Sequence, residues 1–295
     1  MGKDSAQGNK MSVVELYSDA KRELRLYVTD AKEVVETARG FHHSMPLATA
    51  ALGRLLIGTG LMYSMEKSER VKLTVQIKSD GPLGGLLVTA EEGNLKGYSI
   101  NPDAELMLKD NGKLDISGGI GEGRLSVVKD FGLKEPYNSQ MNLVSGEIAE
   151  DLTAYFAESE QTPSAVALGV LVDVDGSVKQ AGGFIVQLMP FASEETICRL
   201  EENIGKLATV TTLLEQGKEP KDIAAMVLEG LSPEKMEGKE IRYHCNCEKD
   251  RFVRAIKGLQ KQELAEIIAE NKPLTVECHF CDKKYRIEIA DLLAE

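Results

Sequence analysis

Tryptophan is absent from the sequence, and other aromatic residues are scarce. Phe, Trp and Tyr together make up 5% of the 295 residues. Proteins that bind single-stranded nucleic acid stack successive bases on aromatic side chains. The scarcity of aromatic residues therefore argues against such a stacking surface.

An excess of positive charge is also missing. The chain has 35 Lys and Arg against 47 Asp and Glu, which gives a formal net charge of −12 at pH 7. Binding to phosphate backbones or to anionic lipid requires a basic surface. We therefore expect neither nucleic acid nor a membrane as a partner.

No hydrophobic run in the sequence is long enough to predict a membrane span. The longest, residues 46–62, carries Arg54 near its middle and falls short of the roughly 20 residues that a spanning helix needs. Residues 1–10 are polar and lack the apolar stretch of a secretory signal. We expect them to be a disordered natural arm or an expression remnant, because Met11 could itself be the initiator. The expected location is cytoplasmic.

Nucleotide-binding and catalytic motifs are lacking as well. Residues 81–85 (GPLGG) and 118–123 (GGIGEG) are rich in glycine, but neither is followed by the Lys-Ser or Lys-Thr pair of a P-loop. We assign both stretches to turns and bulges between strands. The sequence shows no catalytic triad, paired-carboxylate motif or cofactor fingerprint. We expect no ATP site and no enzyme activity.

Four of the five cysteines form a motif. Cys245 and Cys247 make a C-x-C pair, thirty residues follow, and Cys278 and Cys281 make a C-x-x-C pair. In a reducing compartment, two close cysteine pairs indicate a metal site. Four thiolates suit tetrahedral zinc; an iron–sulfur cluster is the alternative, but two short knuckles are more typical of zinc ribbons. Cys198 stands apart, and we interpret it as a small apolar residue on a helix.

The one-residue spacer of the first pair is unusual, because structural zinc knuckles normally have two to four spacer residues. If the metal leaves, Cys245 and Cys247 could close a small, strained disulfide ring, and strain raises the reduction potential. The spacing therefore favours a site that oxidants open. Four thiolates also leave no coordination position for a catalytic water, which argues against a zinc hydrolase.

The chain has four histidines, two of them next to the cysteine pairs. His244 and His279 flank the two pairs, and either could complete a Cys₃His site. Four cysteines already satisfy zinc, so we place both histidines outside the ligand set. His42 and His43 have no partner visible in the sequence, and we assign them no role.

The pattern of residues 11–191 predicts one α+β domain rich in antiparallel strands. Residues 47–65 are apolar on nearly every side, which predicts a helix buried between sheets, with Arg54 as a partnered buried charge. Further helices are predicted at 31–41 and 148–158. Alternation or turn signals predict strands within 13–29 and at 71–78, 125–129 and 140–148. They also predict hairpins at 86–100 and 105–116, and a last hairpin formed by 165–174 and 178–188.

The composition changes after residue 191. Residues 192–235 are rich in acidic residues and show no strand pattern, and this lack of alternation extends to residue 240. Ser193 can cap a helix that runs to Gly217, and a second short helix covers 222–231. Such short helices are marginal alone and depend on docking. Residues 236–295 contain the cysteine pairs and predict a small zinc-binding domain with helices at 249–257 and 261–270 and a strand at 285–289.

These motifs resemble the heat shock protein 33 family of redox-regulated bacterial chaperones. The resemblance covers nearly the whole chain, and the two cysteine motifs (HCNC and CHFC) follow the family pattern. It is also carried by PLATAALG at 46–53, GPLGG at 81–85, LSVVKDFGLKEPY at 125–137, LVSGEIAEDLTAYFAESEQTPSAV at 143–166 and GGFIVQLMP at 182–190.

The resemblance implies an architecture in three parts. A β/α/β sandwich around a buried helix forms the N-terminal chaperone core at 11–191. A metastable helical linker follows at 192–235, and a redox-switch domain at 236–295 holds one Zn²⁺ per chain in the reduced form. By the resemblance, its ligands are Cys245, Cys247, Cys278 and Cys281.

The resemblance also implies how such a protein works. The reduced, zinc-bound form is nearly inactive. Oxidation forms the disulfides Cys245–Cys247 and Cys278–Cys281, releases zinc and unfolds the redox-switch domain and the linker. The exposed surface then binds unfolding client proteins without ATP and prevents their aggregation. The active form is usually a homodimer, and both the linker and the N-terminal sheet are candidates for the client-binding surface.

Two other classes of function stay open at this point. A zinc-ribbon adaptor would recruit nucleic acid or protein with its metal in place, but residues 241–295 have ten basic and ten acidic residues, a neutral balance that is unfavourable for nucleic acid. An enzyme with its site in the N-terminal domain is the other alternative, and no motif supports it.

Overall fold

The structure, a computed structural model, describes residues 11–68 and 70–293. The chain divides into two compact units, Met1–Tyr243 and His244–Glu295. The arm predicted at residues 1–10 lies outside the described residues.

The first unit contains ten strands and seven helices in its described part. In chain order they are β1 (Ser12–Ser18), β2 (Leu24–Asp30), α1 (Lys32–His42), α2 (Pro46–Met65), β3 (Lys72–Ser79), β4 (Leu86–Glu91), β5 (Asn94–Ser99), α3 (Ile116–Ile120), β6 (Gly123–Asp130), β7 (Tyr137–Asn142), α4 (Ala149–Glu158), β8 (Ser164–Val172), β9 (Val178–Leu188), α5 (Glu194–Lys206), α6 (Val210–Glu215), α7 (Pro220–Val227) and β10 (Glu234–Tyr243).

The ten strands form one sheet that folds around α2. Its order is β7-β6-β3-β4-β5-β10-β1-β2-β9-β8. We call β7-β6-β3-β4-β5 the first half-sheet and β1-β2-β9-β8 the second half-sheet; β10 lies between them. Helix α2 contacts strands of both halves. The predicted α+β fold, a β/α/β sandwich around a buried helix, is therefore confirmed.

Small residues allow α2 to lie between two layers. A Cβ atom at Gly53 would come within 2.6 Å of Val35, and one at Gly60 within 2.9 Å of Ile241. By length and hydropathy α2 could cross a membrane, but 94% of its apolar window is buried inside the fold, as in the core helix of a globular protein. Arg54 pairs with Glu147 at 2.6 Å, which confirms the predicted partnered charge.

Helices α5, α6 and α7 cover the outer face of the second half-sheet. They bury a second hydrophobic cluster, separate from the core around α2. The predicted docking of these helices is confirmed. The sheet contributes Leu24, Leu26, Val28, Phe184 and Val186, and the helices contribute Leu200, Val210, Leu213, Leu214, Ile223 and Val227.

Hydrogen bonds fix the ends of this helical layer. The Glu23 carboxylate accepts hydrogen bonds from the hydroxyls of Ser193 and Thr196 at the start of α5. The Asn203 amide donates to the carbonyls of Val227 (3.0 Å), the last residue of α7, and Glu229 (2.9 Å), just after it. The start of α5 is thus tied to the loop before β2, and the end of α5 is tied to the end of α7.

The sequence-based prediction is wrong at two places after residue 191. The single helix predicted up to Gly217 is broken, because Leu207 has extended backbone angles and the Thr209 hydroxyl caps α6. Residues 234–243, for which no strand was expected up to residue 240, form β10 and pair with β1. The compact second unit therefore begins at His244 rather than at residue 236.

Two predicted strands in the core are also wrong. The hairpin predicted at 105–116 is reduced to an isolated bridge between Leu108 and Leu114. The following glycine-rich stretch enters helix α3, whose first turn is capped by the Asp115 carboxylate. The strand predicted at 140–148 ends at Asn142, because the next residues wrap around the buried Asp151 carboxylate with their amide groups.

The second unit is small. It contains α8 (Lys249–Lys257), α9 (Lys261–Glu270), β11 (Leu274–Glu277), β12 (Lys284–Ile287) and α10 (Ile289–Leu293), and β11 and β12 form an antiparallel hairpin. Both predicted helices are confirmed. The predicted strand at 285–289 corresponds to β12, whereas β11 was not predicted.

Candidate metal centre

Two short segments of the second unit position the four cysteines. Cys245 and Cys247 lie in the irregular stretch between β10 and α8, and Cys278 and Cys281 lie in the turn of the β11–β12 hairpin. In that turn the Cys278 amide donates to the Lys283 carbonyl at 3.0 Å, and the Cys281 amide donates to the Cys278 carbonyl at 3.1 Å. The hairpin thereby directs two thiols toward the C-x-C segment.

The four sulfur atoms form a compact group. All of them lie within 4.8 Å of one another. The Sγ atoms of Cys245 and Cys278 are 3.7 Å apart, and those of Cys247 and Cys281 are 3.3 Å apart. A tetrahedral ion with metal–sulfur bonds of about 2.3 Å separates its sulfurs by about 3.8 Å. The four thiols therefore fit a tetrahedral thiophilic ion.

All five cysteines lie in the described part of the chain as free thiols. The four clustered thiols form the one group of three or more His, Cys, Asp or Glu side chains within residues 11–68 and 70–293 that could hold a metal. His244 and His279 are exposed and stand outside this group. Cys198 lies on α5, as predicted, but it is exposed rather than packed as an apolar residue.

Electrostatics couples the four thiols. A hydrogen bond from Cys281 lowers the pKa of Cys245 to about 5, and the pKa of Cys281 is raised because its thiol donates that bond. Burial raises the pKa of Cys278 to about 11. A divalent cation favours the deprotonated form of every ligand. A bound metal would therefore displace the protons of these thiols.

Tyr285 is a site residue that sequence reasoning missed. Its hydroxyl lies 3.2 Å from the Cys247 sulfur and donates to the Cys247 carbonyl at 2.8 Å. Burial, followed by the hydrogen bond to Cys247, raises the pKa of Tyr285. The Phe252 ring of α8 packs on Tyr285 with ring centroids 5.1 Å apart. The alternation at 285–289 predicted a strand there and gave no signal for the ring's contact with the thiols.

Little else supports the second unit. Helices α8 and α9, both described in full, contain no buried residue. Across residues 244–293, the described part of this unit, the buried side chains are Cys278, Ile287 and Leu292. The second unit therefore has almost no hydrophobic core, and the thiol cluster takes much of that place.

Comparison with known proteins identifies the family. A sequence model of the Hsp33 protein matches residues 14–288. The chain belongs to the Hsp33 family. The 33 kDa chaperonin of Agathobacter rectalis is 48% identical over 274 residues, which cover 92% of this chain and 95% of the relative. The 33 kDa chaperonin of Clostridioides difficile is 49% identical over 273 residues, covering 92% and 94%.

A solved Hsp33 structure has the same fold. The crystal structure of the 33 kDa chaperonin of Thermotoga maritima matches with a TM-score of 0.87 and 38% identity over 97% of both chains. The resemblance found in the sequence is thereby confirmed. Membership in the Hsp33 family supports a chaperone function, and the name chaperonin describes a non-enzymatic role.

Proposed function

We propose that this chain is a redox-regulated, ATP-independent holdase chaperone. In the proposed resting state, Cys245, Cys247, Cys278 and Cys281 hold one Zn²⁺ as thiolates and the protein is inactive. Oxidation releases the ion and unfolds the second unit and the linker, and the exposed surface binds unfolding proteins. The observation that carries the proposal is a four-thiol cluster in a unit that has almost no other core.

The energetic argument concerns the second unit. Structural zinc contributes roughly 10–16 kcal/mol in small peptide sites near neutral pH. Whole domains are stable by only about 5–15 kcal/mol. With few buried side chains, a unit of this size has no reserve that could replace the metal. Loss of the ion therefore unfolds the unit rather than loosening it.

The proposed chemistry consumes two equivalents of peroxide. In each cysteine pair, one thiolate attacks one peroxide oxygen to give a sulfenic acid, and water leaves once the second oxygen is protonated. The neighbouring thiol then condenses with the sulfenic acid, which forms the disulfide and releases a second water. The proposed pairs are Cys245–Cys247 and Cys278–Cys281. No thiolate remains for the ion, so Zn²⁺ departs.

The surface that becomes available lies under the linker. Helices α5, α6 and α7 cover apolar side chains of the second half-sheet with apolar side chains of their own. When they undock, both faces become exposed, and large exposed apolar patches mark interaction sites for other proteins. We propose both faces as client-binding surface and the homodimer as the active form. Because the mechanism needs reduced thiols at rest, the proposed location is the cytoplasm.

Light scattering from a heat-unfolding client protein tests the proposal. The zinc-loaded, reduced chain is expected to leave the scattering unchanged. The same chain after peroxide and mild heat is expected to suppress it without nucleotide, while one zinc is released and four thiols disappear per chain. Equal suppression in both redox states, or retention of zinc through oxidation, would rule out the redox gate.

A further inference from the structure

Strand β10 occupies the middle of the sheet, yet its composition is poorly suited to that place. Six of its ten residues are charged, and one is glycine. Glu, Lys and Gly are all disfavoured in strands. Apart from Ile241 and Tyr243, its side chains are exposed or half-buried. For a strand between two others in a ten-stranded sheet, this is an unusually polar composition.

The first part of β10 is held mainly by its ladder with β1 and by surface charges. Lys235 pairs with Glu15 at 2.7 Å and Glu234 with Arg22 at 2.9 Å, and most of these groups are open to solvent. Such pairs contribute little to stability. The ladder itself is interrupted by a bulge, where a Cβ atom at Gly238 would lie 2.2 Å from the Val14 carbonyl oxygen. Lys239 donates to the Glu66 carbonyl at 2.6 Å and lies over the Tyr63 ring, so polar contacts rather than buried apolar side chains retain this stretch.

The last part of β10 is anchored in the core by two side chains, and Arg242 donates to the Asn94 side chain of β5 at 2.7 Å. Ile241 and Tyr243 are two residues apart, so both point to the same side of the sheet, into the core around α2. Ile241 lies against Gly60 of α2, and the Tyr243 hydroxyl donates to the Gly97 carbonyl at 2.8 Å. On its other edge β10 pairs with β5 at Arg242 and Tyr243.

Both neighbours of β10 in the sequence belong to segments that are proposed to unfold. The helical linker precedes it, and the second unit begins at the next residue, His244. With both flanks unfolded, β10 becomes a short polar arm whose remaining attachments are its ladders, its polar side-chain contacts and the two core side chains. The two ladders follow one another along the strand, so a departing β10 exposes the edge of β1 beside residues 234–241 and the edge of β5 beside residues 242–243.

We propose that oxidation frees β10 and that an extended segment of an unfolding client takes its place between β1 and β5. The inference rests on the proposed function and names a binding site and the chemical class of its ligand. The vacated position offers main-chain hydrogen bonds antiparallel to β1 along residues 234–241 and parallel to β5 at residues 242–243. It also offers two apolar positions spaced by two residues, where Ile241 and Tyr243 now lie. The ligand is thus unfolded polypeptide with apolar side chains at alternating positions.

The composition of β10 explains why a client can displace it. Segments from the core of an unfolding protein are rich in β-branched and aromatic residues, which suit a buried strand better than EKMEGKEIRY does. The tethered β10 still competes at high effective concentration, so it can expel the client once the second unit refolds. Strand β10 of a second copy has the same sequence as the chain's own β10. It therefore fits the position no better than the chain's own strand does, whereas a client segment fits it better.

Hydrogen exchange measured by mass spectrometry tests the proposal on the full chain. The client probe is reduced, carboxymethylated α-lactalbumin, which stays unfolded. In the oxidised, probe-bound chain we expect β10 to exchange as fast as unfolded polypeptide, whereas β1 and β5 stay protected. A β10 that remains protected in that complex would overturn the proposal. Protection of β1 that appears without probe and rises with chain concentration would also overturn it, because a second copy would then fill the vacated position.

A pair of variants supplies a second test. Glu237→Val with Glu240→Thr raises the strand propensity of β10 at two exposed positions. We expect this variant to bind the probe at least threefold more weakly after oxidation, since its own strand competes better. Asn138→Val with Gln140→Thr makes the matching change on the edge strand β7 and is expected to bind like the wild type. Equal affinity of the β10 variant and the wild type would contradict the proposal.

Light scattering measured on the same samples tests the proposed function separately. Suppression of light scattering by a chain whose β10 stays protected would overturn this inference and leave the holdase intact. Release of β10 and capture of the probe without suppression of light scattering would support the binding site and contradict the holdase.

Discussion

The Cys278 thiol is buried, whereas the other three thiols of the cluster are half-buried. It follows β11 directly, and its backbone carbonyl and amide close the hairpin turn. Cys278 therefore serves both as a candidate ligand and as one of the few buried side chains of the second unit. Cys198, on the exposed face of α5, has neither property and provides a natural control.

Replacing Cys278 by serine is expected to abolish zinc binding and to unfold the second unit without any oxidant. The hydroxyl is a poor zinc ligand and leaves a polar group in a buried position. Limited proteolysis and zinc stoichiometry measure the outcome. Cys198→Ser is expected to keep one zinc and a resistant second unit. A compact, protease-resistant second unit in the metal-free Cys278→Ser variant would contradict the proposed role of the metal.

Glu23 gives the docked linker a dependence on pH. The hydroxyl of Thr196, together with that of Ser193, holds the pKa of Glu23 below its ordinary value of 4.5. A carboxyl whose pKa is lowered by folding contributes stability above its unfolded pKa, and that contribution is lost as the pH falls through the folded value. Docking of α5 therefore weakens below about pH 4.5.

Hydrogen exchange of α5 against pH checks this expectation. Glu23→Gln is expected to exchange faster than the wild type near neutral pH and to lose less protection below about pH 4.5. Thiol protonation affects every variant alike, so the comparison isolates Glu23. Glu195→Gln removes an exposed carboxylate from the same helix and should follow the wild-type profile. Parallel pH profiles for Glu23→Gln and the wild type would show that Glu23 does not hold the linker.

At the scale of elements, the linker is a layer of three short helices rather than a flexible connection. None of them is long enough to be stable alone. Their stability comes from packing against the second half-sheet. Ile223 and Val227 of α7 and Leu213 of α6 contribute fully buried side chains to this contact. Removing one of these side chains weakens the docking of the layer without touching the core around α2.

Ile223→Ala is expected to reduce the stability of the docked linker by about 2–5 kcal/mol, the usual cost of this truncation at a buried site. The consequence is partial suppression of client aggregation by the reduced, zinc-loaded chain. Urea unfolding followed by linker proteolysis gives the stability, and light scattering gives the activity. Val174→Ala shortens an exposed side chain in the β8–β9 turn and should change neither quantity. A destabilised linker with no gain in activity would show that docking of the linker is not what keeps the reduced chain inactive.

At the scale of the whole molecule, the two units depend on different sources of stability. The first unit has a large core around α2, and the second has its thiols. Heating the zinc-loaded, reduced chain with a strong chelator is therefore expected to unfold the second unit near room temperature and the first at a much higher temperature. Calorimetry with and without chelator measures the two transitions. A single transition that the chelator leaves unshifted would contradict this division.

The sequence predicted the features that local patterns encode. The apolar character of α2 on every side and the alternation in β3 to β5 and in β8 and β9 were sufficient for the sandwich, and the cysteine spacing was sufficient for the cluster. Strand β10 was missed because its pairing with β1 is decided by tertiary contacts and not by its charged sequence. The contact of Tyr285 with Cys247 is likewise tertiary, and a strand pattern cannot reveal it.

The position of β10 in the chain also affects biosynthesis. It pairs with β1, so the middle of the sheet cannot form until residues 234–243 are available to pair with residues 12–18. A nascent chain on the ribosome therefore carries two unpaired edges until most of its 295 residues have been translated. The four clustered cysteines emerge later still, so the candidate metal site can form only after the last strand of the sheet has been made.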